Sequence, residues 1–243
     1  MSDRWSISID IEGFSRNYEH SEKRKTYAIL ALRELMSAVY RIGSQCFPGT
    51  QEKNYSERLF AHQFGDGFLV CSDFPEPDAS RAIAIAIAIQ RHLILKGFVA
   101  KAAISTGDLS DINGCYPQPI RDAGEDRLHM GMGLMTIISV MGTALTKAHK
   151  LGSSVKGAVL VVDKSLLNKG LPPGIRTCGP SSNYVDWIFS VCPLAEEIAR
   201  KSDLLNASPD RLYEKLRAYC ATEPIPPDSW TEATFNSVGQ NSA

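Results

Sequence analysis

Apolar residues occupy every second position from Trp5 to Ile11, with serine or aspartate between them. A period of two is typical of a strand, so the chain is predicted to open with one that carries Asp10 near its end. From Ser21 to Ile42 the apolar residues recur mostly at spacings of three and four, which predicts a long helix. The first part of the chain therefore combines a strand with a helix.

Apolar runs at 58–64 and 68–71 flank a Gly-Asp-Gly turn. This arrangement is a strong hairpin signal and places Asp66 at the tip of the hairpin. The alanine-rich segment 79–96 is predicted as a second long helix buried on one side, because its length and alanine content outweigh its strand-like alternation. Residues 99–106 are predicted to form the next strand.

Shorter elements are predicted for the second half of the chain. They are a loop at 108–131, a helix at 133–151 that ends at Gly152, a strand at 158–162, a short helix at 163–168, a hairpin of 175–178 with 185–191, and helices at 193–201 and 209–219. The tail 223–243 is rich in Pro, Ser, Asn and Thr and is predicted to be flexible. Long helices between antiparallel strands predict an α+β fold, with a central, mostly antiparallel sheet flanked by helices.

Composition limits the binding partners that the chain is expected to have and the cellular compartment in which it is expected to act. The 26 Lys and Arg nearly balance the 27 Asp and Glu, so no overall charge favours nucleic acid or membrane surfaces. The six cysteines show no Cys-x-x-Cys spacing, which indicates reduced thiols rather than a disulfide framework or a zinc site. The longest apolar run, 82–89, is too short to span a bilayer, and no signal peptide is recognisable. We therefore expect a cytoplasmic protein without nucleic-acid or membrane partners.

Two carboxylates follow predicted strands that could lie side by side. Asp10 lies at the end of the first strand and Asp66 at the tip of the hairpin. Together with the carbonyl of Ile11 they would form an oxygen-only site for Mg²⁺ or Mn²⁺. Each aspartate alone is better explained as a strand-end cap or a turn residue, so the hypothesis depends on the pair.

Phosphate-binding groups are predicted close to this pair. Gly13, Phe14 and Ser15 offer backbone N–H groups and a hydroxyl in a turn, a common setting for phosphate oxygens. Lys101 is a lone cation on an apolar strand and could neutralise terminal phosphates, although an exposed strand lysine is the simpler interpretation.

A helix further along the chain carries a second candidate group. Thr146 and Lys150 are four residues apart and share a helix face, where a hydroxyl and an ammonium could stabilise charge on a pentavalent phosphorus. A solvated polar face near a helix end is the alternative. The five histidines lack metal-ligand spacing, and no Ser-His-Asp order or P-loop is present, which sets hydrolase and zinc-enzyme interpretations aside.

Four stretches, in order, resemble the motifs of class III nucleotide cyclases. They are 10–15 (Asp-Ile-x-Gly-Phe-Thr in the family), 64–69 (the Gly-Asp hairpin), 101–107 (Arg-x-Gly-Ile-His-x-Gly) and 142–151 with the strand 157–162 (Gly-x-x-Val-Asn-x-Ala-x-Arg). The resemblance covers residues 5–191 and implies a cyclase catalytic domain over 1–192, followed by a helical extension over 193–222. It also implies two divalent metal ions, Mn²⁺ or Mg²⁺, bound by Asp10, Ile11 and Asp66.

The departures from the family concern the base and the transition state. His62 stands where adenylate cyclases have the lysine that reads adenine, and Ser139 stands near the aspartate that reads the purine amino group. Thr146 and Lys150 replace the family's Asn and Arg. Loss of both purine readers argues against ATP or GTP, so His62, Ser139 and Tyr55 are our candidates for contacting another base.

With these changes the chain is similar to the bacterial pyrimidine cyclases of Pycsar antiphage systems. The resemblance implies conversion of UTP to cyclic UMP, a messenger that acts on a separate effector during antiviral defence. It further implies a homodimer with composite active sites, in which Asp10 and Asp66 come from one chain and Thr146 and Lys150 from the other. Three alternatives stay open: a cytidylate cyclase, an adenylate or guanylate cyclase with an atypical base site, and a degenerate nucleotide-sensing domain.

Overall fold

A seven-stranded sheet forms the centre of the computed structural model, which describes residues 4–47, 59–76, 78–111, 113–123, 127–130, 133–136, 140–178 and 183–239. The helices are α1 (Phe14–His20), α2 (Glu22–Cys46), α3 (Ser80–Leu95), α4 (Gln118–Ala123), α5 (Thr143–Ser154), α6 (Lys164–Leu167), α7 (Pro193–Lys201), α8 (Pro209–Cys220) and α9 (Asp228–Ser237). The strands are β1 (Arg4–Ile11), β2 (Leu59–Phe64), β3 (Gly67–Ser72), β4 (Ala100–Gly107), β5 (Ser110–Asp111), β6 (Arg127–Met130), β7 (Gly133–Thr136), β8 (Val140–Met141), β9 (Leu160–Val162), β10 (Thr177–Cys178) and β11 (Tyr184–Val185).

The strand order across the sheet is β10-β11-β9-β4-β1-β3-β2. The interior strand β1 pairs antiparallel with both β3 and β4, whereas β4 pairs parallel with β9. This mostly antiparallel sheet with helices against it confirms the predicted α+β class. Because β1 has a neighbour on each side, the residues at its end lie between two other strands.

One face of the sheet is apolar because Ile7, Ile9 and Ile11 of β1 all point to it. The long helices α2 and α3 pack on this side, and α7 packs against α3. Every residue from Ala82 to Ile94 is therefore buried, whereas the sequence predicts burial on one side only. The Ala-Ile alternation reflects a helix that is surrounded by protein.

The opposite face is covered by α5, which begins later than predicted. The sequence predicts one helix over 133–151, whereas β7 and β8 precede α5. This prediction is wrong because the helix start is defined by a distant residue: the Asp108 carboxylate accepts from the Thr143 amide at 2.8 Å. Gly142 packs against the Asp108 carbonyl, where a side chain has no room.

Gly152, predicted to end this helix, lies inside it. A Cβ at this position would stand 3.3 Å from Ser8 Oγ and 3.5 Å from the Ala103 Cβ. The glycine therefore allows α5 to approach β1 and β4 closely, and the helix continues to Ser154.

The region 108–131, predicted as a loop, contains β5, a 3₁₀ turn, α4 and β6. In two small sheets, β5 pairs with β8 and β6 pairs with β7. These strands are two to four residues long, which is too short for a hydrophobic period to show in the sequence.

The hairpin predicted from 175–178 and 185–191 is shorter in the structure. Among the residues described there, two on each side pair, in β10 and β11. The chain then turns, because the Asp186 carboxylate accepts from the amides of Ile188 and Phe189.

The tail predicted to be flexible from residue 223 contains α9 instead. Trp230 and Thr234 are buried in this helix, and the Thr234 hydroxyl accepts from the Ala158 amide at 2.9 Å. The prediction is wrong because two of the small polar residues of this segment, Thr234 and Ser237, are buried and hydrogen-bonded rather than solvated. The boundaries of a separate domain at 192 and 222 stay a prediction.

The other elements agree with the sequence predictions to within a few residues: β1, the β2–β3 hairpin, α2, α3, β4, β9, α6, α7 and α8. The helix α1 is an addition, since the sequence indicated only a turn there. Within the described ranges, none of the helices combines the length and hydropathy that a membrane span requires.

Candidate active site

The ends of β1 and β3 bring the two predicted carboxylates together. Asp10 lies directly across from Gly67 in the antiparallel pair, and the Ile11 amide donates to the Asp66 carbonyl at 3.3 Å. A Cβ at Gly67 would lie 2.8 Å from Asp10 Oδ1 and 2.5 Å from the Ile9 carbonyl. Glycine at this position is therefore what lets the hairpin approach Asp10.

The Asp10 carboxyl is under electrostatic strain in the metal-free chain. Burial, and after it the negative charge of Asp66, raises the pKa of Asp10 to about 7, although the opposing charge of Lys101 lowers it. Two neighbouring carboxylates favour either a proton or a cation between them. A divalent cation that takes oxygen ligands would relieve the same repulsion.

The donor set fits such a cation. Across the described ranges no group of three or more His, Cys, Asp or Glu side chains is arranged for a metal. Mg²⁺ and Mn²⁺ are commonly held by one or two carboxylates with substrate phosphates and water. Asp10, Asp66 and the Ile11 carbonyl are oxygen donors of this kind.

Lys101 lies directly across from Asp10 on β4. Its Nζ is 3.0 Å from Glu12 Oε1 and 3.9 Å from Asp10 Oδ2, and its side chain is only 15% exposed. Lys101 is therefore not the solvated strand lysine of the simpler interpretation. It is a cation held between the carboxylates of Glu12 and Asp10.

Sequence reasoning missed Glu12, which is the nearer partner of Lys101. The Glu12 side chain is 10% exposed, and the Trp230 indole N–H donates to its Oε2. Tyr219 donates its hydroxyl to the Glu12 carbonyl at 3.4 Å. No sequence signal could have found this cluster, because Glu12 fills a variable position of the motif and its aromatic partners lie more than 200 residues away.

A cavity of about 160 Å³ opens beside the carboxylates, between the hairpin and α5. Its lining includes Asp10, Asp66, Lys101, Phe64 and His149. The rings of Phe64 and His149 meet edge to face, with centroids 5.0 Å apart. Both were missed as site residues, although His149 is one helix turn beyond Thr146, so its spacing could have indicated it.

The candidate phosphate turn begins α1. Gly13 has φ +74°, a left-handed conformation that favours glycine, and its carbonyl accepts from Asn17. Phe14 stacks on Tyr18 with ring centroids 5.4 Å apart, while Ser15 is exposed. The first N–H groups of a helix lack partners within it, so a role for these three residues in binding phosphate stays a prediction.

The base-contacting candidates are only partly described. His62 lies directly across from Leu69, and the alternation of the strands puts it on the same face of the sheet as Asp10. Tyr55 and Ser139 fall outside the described residues. Of the three candidates the structure describes His62 alone, which lies on the sheet face that carries Asp10, and their contact with a base stays a prediction.

Thr146 and Lys150 are exposed on α5. The Thr146 hydroxyl donates to the Thr143 carbonyl at 3.2 Å. Neither residue lines the described part of the cavity beside Asp10, whereas His149 and Ser153 of the same helix do. A single chain thus does not bring the predicted transition-state pair to the carboxylates, and their action from a second chain stays a prediction.

Comparison with known proteins gives the following picture. No protein-family model and no curated protein matches the chain. Among solved structures, the guanylyl cyclase Cya2 is 12% identical, with 76% of this chain and 91% of that chain covered and a TM-score of 0.40. The adenylyl cyclase CyaB from P. aeruginosa is 13% identical, with 76% and 91% covered and a TM-score of 0.44.

A class III adenylyl cyclase-like ATP-binding protein from Pseudomonas aeruginosa is 12% identical, with 81% of this chain and 40% of that chain covered and a TM-score of 0.43. At identities and TM-scores this low, these structures assign no activity to the chain.

Proposed function

We propose that the chain is a nucleotide cyclase that converts UTP to 3′,5′-cyclic UMP and pyrophosphate. The observation that carries the proposal is the pair Asp10 and Asp66 at neighbouring strand ends, with Lys101 directly across from Asp10. Paired carboxylates beside a buried cation suit a triphosphate with its divalent ions.

Asp10, Asp66 and the Ile11 carbonyl would hold two divalent ions, Mn²⁺ or Mg²⁺. When bound, such ions lower the pKa of the ribose 3′-hydroxyl and neutralise the triphosphate. The hydroxyl would release its proton to solvent, and its oxygen would form a bond to the α-phosphorus as the bond from that phosphorus to the pyrophosphate leaving group breaks. The raised pKa of Asp10 supports this assignment, because the metal-free pair carries a charge that a cation would balance.

Lys101 binds the β- and γ-phosphates in this proposal, together with the amides of Gly13, Phe14 and Ser15. Support comes from the position of Lys101, whose ammonium is held on the sheet face that also carries Asp10. Both groups act by binding and orienting the leaving group.

Thr146 and Lys150 would meet the charge that grows on the phosphorus, from the second chain of a homodimer. Their exposure on α5, away from the cavity lining of their own chain, supports an action on a neighbouring chain. In a symmetric dimer each chain would give its carboxylates to one site and its Thr146 and Lys150 to the other.

The choice of a pyrimidine rests on the residues that replace the purine readers. His62, Tyr55 and Ser139 offer an imidazole and two hydroxyls for the base edge. Such groups can hydrogen-bond to the carbonyl of uracil or to the amino group of cytosine, so CTP is the alternative substrate. The product would act as a messenger on a separate effector in antiphage defence, in the cytoplasm.

Pyrophosphate release tests the proposal. The purified chain would be incubated with Mn²⁺ and each of the four ribonucleoside triphosphates in turn. We expect release with UTP, and its loss in Asp10→Asn and Asp66→Asn, which keep the size of the side chains. Glu214→Gln, on an exposed face of α8, is the matched control and should retain activity.

The other outcomes discriminate among the alternatives. Release with CTP would indicate a cytidylate cyclase, and release with ATP or GTP a purine cyclase with an atypical base site. Release with none of the four nucleotides would overturn the proposal and favour a nucleotide sensor.

A further inference from the structure

The carboxylate of Glu12 is shared between two partners from distant parts of the chain. Its Oε1 lies 3.0 Å from Lys101 Nζ, and its Oε2 accepts from the Trp230 indole N–H. Because each oxygen has its own partner, one end of the carboxylate is anchored while the other holds the lysine. The Lys101 ammonium is closer to Glu12 than to Asp10.

Trp230 is itself a firmly placed donor. It is 6% exposed, and its ring lies 5.9 Å from that of Tyr219 on α8. One turn later, Thr234 accepts from the Ala158 amide, and a Cβ at Gly157 would come within 2.7 Å of the Thr234 hydroxyl. The helix α9 is thus docked closely on the chain just before β9, so its indole N–H has little freedom to move.

We propose that Trp230 and Glu12 are positioning residues that hold the Lys101 ammonium beside Asp10. The C-terminal helices α8 and α9 are then part of the active site and not only packing. The inference rests on the proposed function, in which Lys101 binds the triphosphate. A lysine carries its charge on a flexible four-carbon chain, so an anchored carboxylate defines where the ammonium stands before substrate arrives.

Chemical labelling of Lys101 tests the positioning in the metal-free chain. An amine-reactive reagent would be applied to the folded protein, and the labelling rate of Lys101 measured by mass spectrometry against that of the exposed Lys156. Trp230→Phe removes the N–H but keeps an aromatic ring, and we expect it to raise the Lys101 rate about fivefold. Glu12→Gln should raise it at least as much.

The matched control is Trp187→Phe. Trp187 is also buried, and its indole N–H donates to the Ala158 carbonyl at 2.8 Å, so the substitution deletes the same kind of hydrogen bond without touching Glu12. We expect it to leave the Lys101 rate unchanged. An unchanged rate in folded Trp230→Phe would overturn the role of Trp230, and an unchanged rate in Glu12→Gln would overturn the role of Glu12.

Glu12→Asp tests the same positioning of Lys101 if Trp230→Phe does not fold. A carboxylate one methylene shorter keeps its charge but cannot reach both Lys101 and Trp230. We expect faster labelling of Lys101 here too, and a rate equal to that of the wild type would contradict the shared anchoring.

Kinetics separate this inference from the proposed function. Since Lys101 contacts phosphates before and during the reaction, Trp230→Phe should raise the KM for UTP about fivefold with a smaller change in kcat. Absence of turnover in the wild type would defeat the proposed function, while the labelling result would still decide the positioning. A change confined to kcat would contradict a role for Trp230 in placing Lys101 for binding.

Discussion

Asp10 has the property that most clearly distinguishes a metal site from an ordinary turn, namely a raised pKa. Its pKa is raised on folding, from 3.8 to about 7, by burial and by Asp66. A carboxyl with a raised pKa favours the fold while it is protonated, and that contribution is lost as the pH rises from about 4 through 7. The metal-free chain therefore carries a destabilising charge at neutral pH.

Asp10→Asn mimics the protonated carboxyl and should stabilise the metal-free chain. We expect its melting temperature in a chelating buffer to exceed that of the wild type by a few degrees at pH 8, with a smaller difference at pH 4. Activity would be lost in the same variant. A lower melting temperature at pH 8 would contradict this expectation. It would show that the charged Asp10 carboxylate stabilises the fold, so that its attraction to Lys101 outweighs its burial and its repulsion by Asp66.

Gly67→Ala tests the close approach of the hairpin to Asp10. The new methyl group would overlap the Ile9 carbonyl and the Asp10 carboxylate, so the strands must separate. We expect a loss of about 1–3 kcal/mol in unfolding free energy, as for other overpacked sites, and at least a tenfold loss of kcat/KM.

Gly43→Ala is the control for this substitution. Nothing lies within 4 Å of a Cβ at Gly43, which sits inside α2, so alanine there should be neutral or slightly stabilising. Equal behaviour of the two variants in thermal unfolding and turnover would refute the steric account of Gly67.

At the scale of elements, the start of α5 depends on Asp108 at the end of β4. The Asp108 carboxylate accepts from the hydroxyl and from the amide of Thr143, and these hydrogen bonds, the hydroxyl's above all, lower the pKa of Asp108. A carboxylate with a lowered pKa stabilises the fold above the unfolded value near 3.8, and the contribution is lost as the pH falls through the lowered value.

Asp108→Ala should therefore fray the first turn of α5 at pH 7. We expect faster hydrogen exchange at the amides of Thr143 to Lys147 and a lower melting temperature, with both differences vanishing in strong acid. Asp163→Ala, which removes the cap of α6, is the control and should leave exchange in α5 unchanged. Unaltered exchange in Asp108→Ala would mean that packing alone defines the helix start.

Elements with a long hydrophobic period were predictable from the sequence, and short or distantly supported ones were not. The strand β1 and the helix α2 each satisfy their own period, so local sequence determines them. The start of α5 depends on a residue 35 positions away, and α9 depends on a threonine buried against Ala158. The local sequence of a segment does not indicate such distant partners.

The same distinction applies to the site. Asp10, Asp66 and Lys101 were predictable because each lies in a recognisable strand or turn. Glu12 was not, because its importance arises from Trp230, which only the folded chain brings to it. The helical spacing from Thr146 could have indicated His149, but only the folded chain shows its contact with Phe64. The motif located the carboxylates, and tertiary structure supplied what surrounds them.

At the scale of the whole molecule, the account requires two chains for each site. Mixing two inactive variants, Asp10→Asn and Lys150→Ala, should restore activity, because a mixed dimer has one site with both groups intact. With random exchange of chains, about a quarter of the wild-type activity should return. Mixing Asp10→Asn with Asp66→Asn is the control and should restore none.

Recovery in the control, or none in the first mixture despite proven chain exchange, would contradict the composite site. In that case the exposed Thr146 and Lys150 would serve only solubility or packing, and His149 would be the α5 residue nearest the chemistry.

The identity of the cyclic product is the most direct test of the central claim. The purified chain would receive Mn²⁺ and an equimolar mixture of the four ribonucleoside triphosphates, and the cyclic nucleotides formed would be identified by mass. The account predicts cyclic UMP as the main product. Cyclic AMP or cyclic GMP as the main product would contradict the pyrimidine assignment, and the absence of any cyclic nucleotide would contradict the cyclase itself.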